Sequence, residues 1–278
     1  MKKYTYPSVL TIAGFDSSGG AGIQADIKTI SALGCFATSV LTALPVQNTT
    51  GVKSIHSIPD TVVEEQLRAV LDDIFPNAIK IGMVHSCELV STIVRVLKNY
   101  PKASLVFDPV MVATSGHKLI EDKTILSIIE QLFPLADIIT PNLDEAAVLA
   151  QMQIKTVDDM YVAGEKIKRL GCNSLLLKGG HLDLEQLTSL YFSSDGQVHE
   201  YHSKKYDTNN THGSGCTLSS AIASYIAQGK SFSEAVMLAH DYVQQAIFHG
   251  KDVQTGKGNG PLNHFFNPQK LIKNELVK

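Results

Sequence analysis

Apolar runs rich in β-branched residues alternate with stretches of helical period along most of the chain, the pattern of βαβ units feeding a mostly parallel sheet. SVLTIA (Ser8–Ala13) predicts a buried strand running into a glycine loop, after which Ile23, Ile27, Ile30 and Leu33 recur at helical spacing until Gly34 stops them. Ala37–Leu44 predicts a second strand, and Val62–Asp73 a helix with Leu67, Val70 and Leu71 facing inward. Three later runs end in polar residues: Ala78–Ile81 in GMVHS, Ser104–Phe107 in Asp108-Pro109, and Asp137–Thr140 in PNLDE, where Pro141 suits a helix's first turn. Ser174–Leu177 leads into Lys178-Gly179-Gly180, and Leu190–Phe192 and Val198–Tyr201, split by Asp195-Gly196, predict a hairpin at one sheet edge. Ser231 and Glu234 have the spacing of a capping box opening a helix to Gly250.

No Pro/Gly/Ser-rich linker, repeat or low-complexity tract divides the chain, so the expectation is one α/β domain over residues 1–278 with helices on both faces of the sheet. Ligands of such sheets lie outside the carboxyl ends of the strands. That rule gathers Gly14, Gln47, Met83, Asp108, Asn142 and Lys178 on one edge.

Composition narrows the classes. With 44% hydrophobic and 18% charged residues and a formal net charge of -3, the chain has material for a core and no basic field for a polyanion, so nucleic acid is not the expected partner. Its apolar runs fall short of the roughly 20 residues that cross a bilayer. VLTIAG near the N-terminus is too short for a signal-peptide core, so no membrane association is expected. The four cysteines, Cys35, Cys87, Cys172 and Cys216, show no zinc spacing and read as reduced thiols of a cytoplasmic protein.

Two glycine loops carry the candidate chemistry. In GFDSSGGAGIQAD, Gly14 and Gly19 have P-loop spacing, but Gly20-Ala21 stands where lysine and Ser/Thr are needed. Gly20-Ala21-Gly22 through Ala25 also fits GxGxxG/A, yet no acid follows about 20 residues on, which counts against the nicotinamide-dinucleotide reading. The three glycines with Asp16, Ser17 and Ser18 fit a backbone that a small ligand approaches, or a tight turn. Asp26 sits on the first turns of the next helix, either lining that ligand or as a solvated, dipole-favoured carboxylate. In Gly213-Ser214-Gly215-Cys216, the N–H groups of a helix start form a concave positive site for phosphate, and the dipole there would lower the Cys216 thiol toward thiolate. Asn142 and Glu145, three apart on a first turn, fit either an N-cap or a hydrated magnesium site, and Lys178 fits a phosphate contact or a surface lysine.

Taken in order, TIAGFDSSGGAGIQADIKT, VQNTTGV, IGMV, DPVM, TPNLDEA, LLLKGGH and THGSGCT resemble the hydroxymethylpyrimidine/phosphomethylpyrimidine kinases of thiamine biosynthesis, within the ribokinase superfamily, and the resemblance reaches the glycine tail near GKGNGP. It implies a ribokinase-like three-layer α/β sandwich, ATP and magnesium, phosphorylation of a pyrimidine hydroxymethyl group and then of its monophosphate, and a homodimer. By motif, Gly14, Asp26, Gln47, Met83 and Val110 fall where that family binds the pyrimidine. Asp108 and Glu145 fall at metal positions, and Asn142, Lys178, Thr211 and Ser214 on the nucleotide side. Gly213, Gly215 and Cys216 fall at the catalytic anion hole, where Cys216 takes the hydroxyl proton or lines the pocket. Pyridoxal kinases share the scaffold and the glycine–cysteine loop but differ at QNT. Gln47 offers both donor and acceptor to an aminopyrimidine edge. Pro45 departs from the family pattern, and its fixed φ is expected to displace the pocket wall, whereas Ser214 for threonine keeps the hydroxyl.

Overall fold

The structure, a computed structural model, describes residues 3–111, 120–180 and 186–276; His181, which ends LLLKGGH, lies outside them. In chain order the elements are β1 (Tyr4–Thr5), β2 (Ser8–Ala13), α1 (Gly22–Ala32), β3 (Phe36–Leu41), β4 (Ala43–Asn48), β5 (Gly51–Ser57), α2 (Asp60–Asp73), β6 (Ala78–Ile81), α3 (Cys87–Leu97) and β7 (Ser104–Phe107). There follow α4 (Asp122–Gln131), β8 (Ile138–Ile139), α5 (Leu143–Ala150), α6 (Val157–Lys168), β9 (Leu175–Leu177), β10 (Gln186–Phe192), β11 (Val198–Lys204), α7 (Ser214–Ala227), α8 (Phe232–Gly250) and β12 (Asn274–Glu275).

The central sheet has eight strands in the order β11-β10-β9-β8-β7-β6-β2-β3. Pairs from β3 to β9 are parallel, and at the other edge β10 runs antiparallel to both β9 and β11. Buried on both faces, β2 and β6 are mostly apolar, with Ser8, Thr11 and Lys80 the polar exceptions, which is why their runs were legible. Side chains from the two faces feed two separate cores. One joins Leu10, Ile12, Ile79, Ile81 and Phe107 to α2 through α6, and the other joins Val9, Ala78, Val106 and Leu176 to α1, α7 and α8. The result is the three-layer α/β sandwich expected.

Several local readings need correction. The strand read as Ala37–Leu44 is two: the chain leaves the central sheet at Thr42, whose N–H donates to Ala13 O, and β4 pairs with β5 in a separate two-stranded sheet. Pro141 precedes the helix, because the Asn142 side chain takes the N-cap and Leu143 begins α5. Only half of the expected Ser231–Glu234 capping box forms: Ser231 accepts from the Glu234 N–H, while the Glu234 carboxylate turns to Lys230 at 2.6 Å. Among the described residues, no helix is long and apolar enough to cross a membrane.

Candidate active site

Both glycine loops sit at the carboxyl end of the sheet, and each is locked by the other. Gly22 holds φ at +54°, and a side chain there would strike the Gly14 carbonyl, which accepts the Ile23 N–H at 3.0 Å and so starts α1 in place of a side-chain cap. Gly213, at φ +81°, caps α7 and packs against the Gly20 carbonyl with no room for a Cβ. Asp16 joins the loops. One of its oxygens takes the Ser18 N–H and hydroxyl at 2.9 and 2.7 Å; the other takes the Gly20 and Ala21 N–H groups at 2.9 and 2.7 Å and meets the His212 ring at 3.0 Å. Burial works against its ionisation, but His212, Ser18, Ala21 and Gln47 together hold the carboxyl well below the usual range.

A cavity of about 550 Å³ opens over this junction, lined by Gly14, Gln47, Met83, Val110, Asn142, Glu145 and Lys178. Thr211, Ser214, Gly215 and Cys216 line it as well. Within the α7 start, the Ser214 N–H is already donated to Thr211 O at 3.1 Å, so the open donors are those of Gly215 and Cys216. A Cβ on Gly215 would come within 3.1 Å of Lys178 Nζ and 3.4 Å of Asp108 Oδ2, so glycine there keeps a path between the helix start and that ion pair.

Asp108, at the end of β7, accepts from Lys178 Nζ at 3.0 Å and from the Thr140 hydroxyl at 2.9 Å. Although burial raises it, the Lys178 and Lys80 charges hold its carboxyl below the usual value. Lys178 is thus a nearly buried partner of Asp108 and not a surface lysine. Glu145 and Asn142 form the α5 capping box, with Glu145 accepting the Asn142 N–H at 2.8 Å and the Met111 N–H at 3.4 Å. Burial pushes the Glu145 carboxyl up to about 7, and the nearby Asp108 charge adds to the rise against the pull of Lys178.

Among the described residues, no three His, Cys, Asp or Glu side chains cluster as a metal cage. Two crowded carboxylates beside a phosphate-sized opening nevertheless fit a magnesium ion that keeps several waters and takes further ligands from phosphate. Asp108 and Glu145 are the residues that would hold it.

Two expectations fail. Asp26 does not reach the cavity: it is fully buried, bonded to the Thr11 hydroxyl at 2.5 Å, the Ser220 hydroxyl at 2.7 Å and Lys80 Nζ at 2.9 and 3.0 Å. It is neither a pyrimidine contact nor a solvated helix-start carboxylate, because α7 and β6 close over it. Cys216 faces the cavity, but it is not partly thiolate in the free protein. Burial pushes its thiol up to about 11, against the pull of the Lys80 charge and the Gly22 N–H, with Asp26 and Asp108 adding to the rise. Pro45 is buried and lines the cavity, and across the register shift between Val46 and Gln47 the Gln47 residue lines it too.

The sequence reading overlooked Lys80, although one charge within the apolar run AIKI is a signal of a buried partner. It also left Asp16 without its role as the link between loops, which the D-S-S-G turn hints at but only the contact with His212 defines.

Comparison with known proteins places the chain among catalysts of one type. The family described as phosphomethylpyrimidine kinase matches residues 16–263. The chain is 44% identical over 257 residues to the hydroxymethylpyrimidine/phosphomethylpyrimidine kinase of Rhizobium meliloti (strain 1021), covering 92% of this chain and 96% of that protein. It is 44% identical over 268 residues to the probable chloroplastic thiamine biosynthetic bifunctional enzyme of Oryza sativa subsp. japonica, covering 95% of this chain and 49% of that protein. The chain therefore spans about half the length of such bifunctional relatives. A crystal structure of phosphomethylpyrimidine kinase from Clostridium difficile 630 superposes with a TM-score of 0.76 at 46% identity, covering 86% of this chain and 99% of that one. The pyridoxal kinase of Staphylococcus aureus, solved with AMP-PCP and pyridoxal, superposes at 0.85 with 31% identity, covering 98% of this chain and 100% of that one.

Proposed function

Because the chain belongs to the phosphomethylpyrimidine kinase family of ATP-dependent kinases, we propose that it transfers the γ-phosphoryl group of ATP to 4-amino-5-hydroxymethyl-2-methylpyrimidine and then to the monophosphate, in thiamine diphosphate biosynthesis. The observation that supports this reading is the junction of the two glycine loops: Gln47, the α7 start with the open N–H groups of Gly215 and Cys216, and the Lys178–Asp108 pair all line one cavity.

In the reaction so read, the acceptor hydroxyl oxygen forms a bond to the γ-phosphorus while the bond from that phosphorus to the bridging oxygen breaks, and ADP leaves with the electron pair. Negative charge on the transferring oxygens is met by the Gly215 and Cys216 N–H groups, reinforced by the α7 dipole and by Lys178. A loose phosphoryl transfer asks little of a base before the new bond forms, so this electrostatic share is the larger one. Cys216 lines the acceptor pocket with its sulfur held by the Gly22 N–H, and with its thiol pushed up to about 11 it takes the hydroxyl proton only through its minor thiolate form, late in the transfer. Gln47 presents donor and acceptor to the aminopyrimidine, with Gly14, Met83 and Val110 around the ring. Asn142, Thr211 and Ser214 line the phosphate side. Magnesium between Asp108 and Glu145 would neutralise triphosphate charge when bound.

Exposed Phe36, Val46 and Val52 along β3 and the β4–β5 hairpin support a homodimer across that edge, and four free thiols support a cytoplasmic location. The test is a coupled ADP-release assay with magnesium-ATP, offering hydroxymethylpyrimidine, its monophosphate and pyridoxal in parallel. Turnover of both pyrimidines above pyridoxal is expected. Preference for pyridoxal would overturn the acceptor assignment and keep the anion hole.

A further inference from the structure

Thr49, at the tip of the β4–β5 hairpin, holds three backbone N–H groups of a segment 208 residues further along the chain. The Lys257 and Gly258 N–H groups both donate to its hydroxyl oxygen at 3.2 Å, and the Asn259 N–H donates to its carbonyl oxygen at 2.9 Å. A side chain on Gly256 would strike the Thr49 hydroxyl, one on Gly258 would strike its carbonyl, and Gly256 keeps φ at +77°. The glycines of GKGNG are therefore spaced to admit this one threonine.

The segment has a second attachment. The Gly260 carbonyl accepts the His212 N–H at 3.1 Å, and the His212 ring meets Asp16, which in turn takes a hydrogen bond from Gln47, two residues before Thr49. Gln47, Asp16, His212, Gly260, Asn259 and Thr49 thus close a ring of contacts around the cavity mouth. Further attachments lie at the base of the hairpin, where the Phe15 N–H donates to Ala43 O at 2.9 Å and the Ser17 hydroxyl to Pro45 O at 3.4 Å, while β5 is open to solvent along nearly all its length. Thr49 closes the ring on the hairpin side.

We propose that Thr49 is a positioning residue for the phosphoryl acceptor, tying the hairpin tip to residues 256–260 so that Gln47 stays set against the acceptor ring and Asn259 stays in the cavity wall. The inference rests on the kinase reading above. A turn residue that only supported the fold would lower the melting temperature when altered and leave the kinetics unchanged. A positioning residue moves the acceptor parameters selectively.

Thr49→Val keeps the shape and removes the hydroxyl acceptor of two N–H groups, while Thr49→Ser keeps that acceptor. With Thr49→Val, KM for hydroxymethylpyrimidine is expected to rise about tenfold, the scale of one to two net hydrogen bonds, with KM for ATP changed less than twofold. The kcat/KM ratio of hydroxymethylpyrimidine over pyridoxal should fall, and Thr49→Ser should restore both to within about twofold. Acceptor kinetics of Thr49→Val equal to wild type, a change confined to KM for ATP, or a lower melting temperature alone would each overturn the proposal. Wild-type protein that turns over neither pyrimidine refutes the kinase reading itself, and this inference with it.

Discussion

Replacing Asp26 by asparagine leaves the Lys80 ammonium with no exposed surface and no directly bonded counter-charge, since both side chains are fully buried. Burial pulls that ammonium down, yet Asp26 holds it above the usual lysine range, so Lys80 stays charged throughout the neutral region. The amide keeps one acceptor oxygen, while its NH2 group faces the Thr11 and Ser220 hydroxyls and Lys80, donors that now lack a full set of acceptors. Breaking such a pair on one side costs about 3–5 kcal/mol. For 278 residues, unfolding entropy near the midpoint is roughly 0.6 kcal/mol per degree, which converts that loss to about 5–9 °C in Tm. Differential scanning calorimetry reads it directly. The double variant Asp26→Asn with Lys80→Met removes both charges and should recover at least half of the loss, because a buried pair exchanged for neutral groups is often close to neutral overall. A single-variant drop under 2 °C, or a double variant worse than the single, would refute the account of Asp26 as a buried counter-ion.

Other consequences follow from Glu145, Cys216 and Gly213. The Glu145 carboxyl titrates at 4.5 in its ordinary state and at about 7 in the fold, so the native protein binds more protons between those values and loses stability as the pH rises through them. The penalty levels off above pH 7 at about 3 kcal/mol. Glu145→Gln should therefore melt higher than wild type at pH 8 and not at pH 4.5, with turnover reduced more than tenfold; an equal difference at both pH values would contradict it. With its thiol at about 11, Cys216 should be alkylated by iodoacetamide at a rate still climbing between pH 8 and pH 10, followed on its own peptide by mass spectrometry. A plateau below pH 9 would show a thiolate that the burial argument does not allow. Gly213→Ala should cost about 3 kcal/mol or more and abolish turnover, through a positive φ and the collision with Gly20; near-wild-type melting would count against the interlocked loops.

The sequence by itself determined the sheet and the edge that carries the site. Strands Ser8–Ala13, Ala78–Ile81 and Ser104–Phe107 stand where their apolar runs put them, since a strand buried on both faces writes its length into consecutive residues. The residues just beyond the parallel strands, Gly14, Met83, Asp108, Asn142 and Lys178, meet around one cavity because parallel strands all end on the same side. The break at Thr42 was not legible, as a strand that leaves one sheet for another keeps the same local alternation. Nor was the fate of the charges. Asp26 is 54 residues from Lys80 and 194 from Ser220, and only their packing decides that it serves the core and not the cavity. The same holds for Cys216: a helix start argues for a low thiol pKa, but burial between α1 and the strand ends pushes it up. Periodicity and turn chemistry are properties of neighbours in the chain, whereas desolvation and pairing are properties of neighbours in space, and the latter set the ionisation on which this site depends.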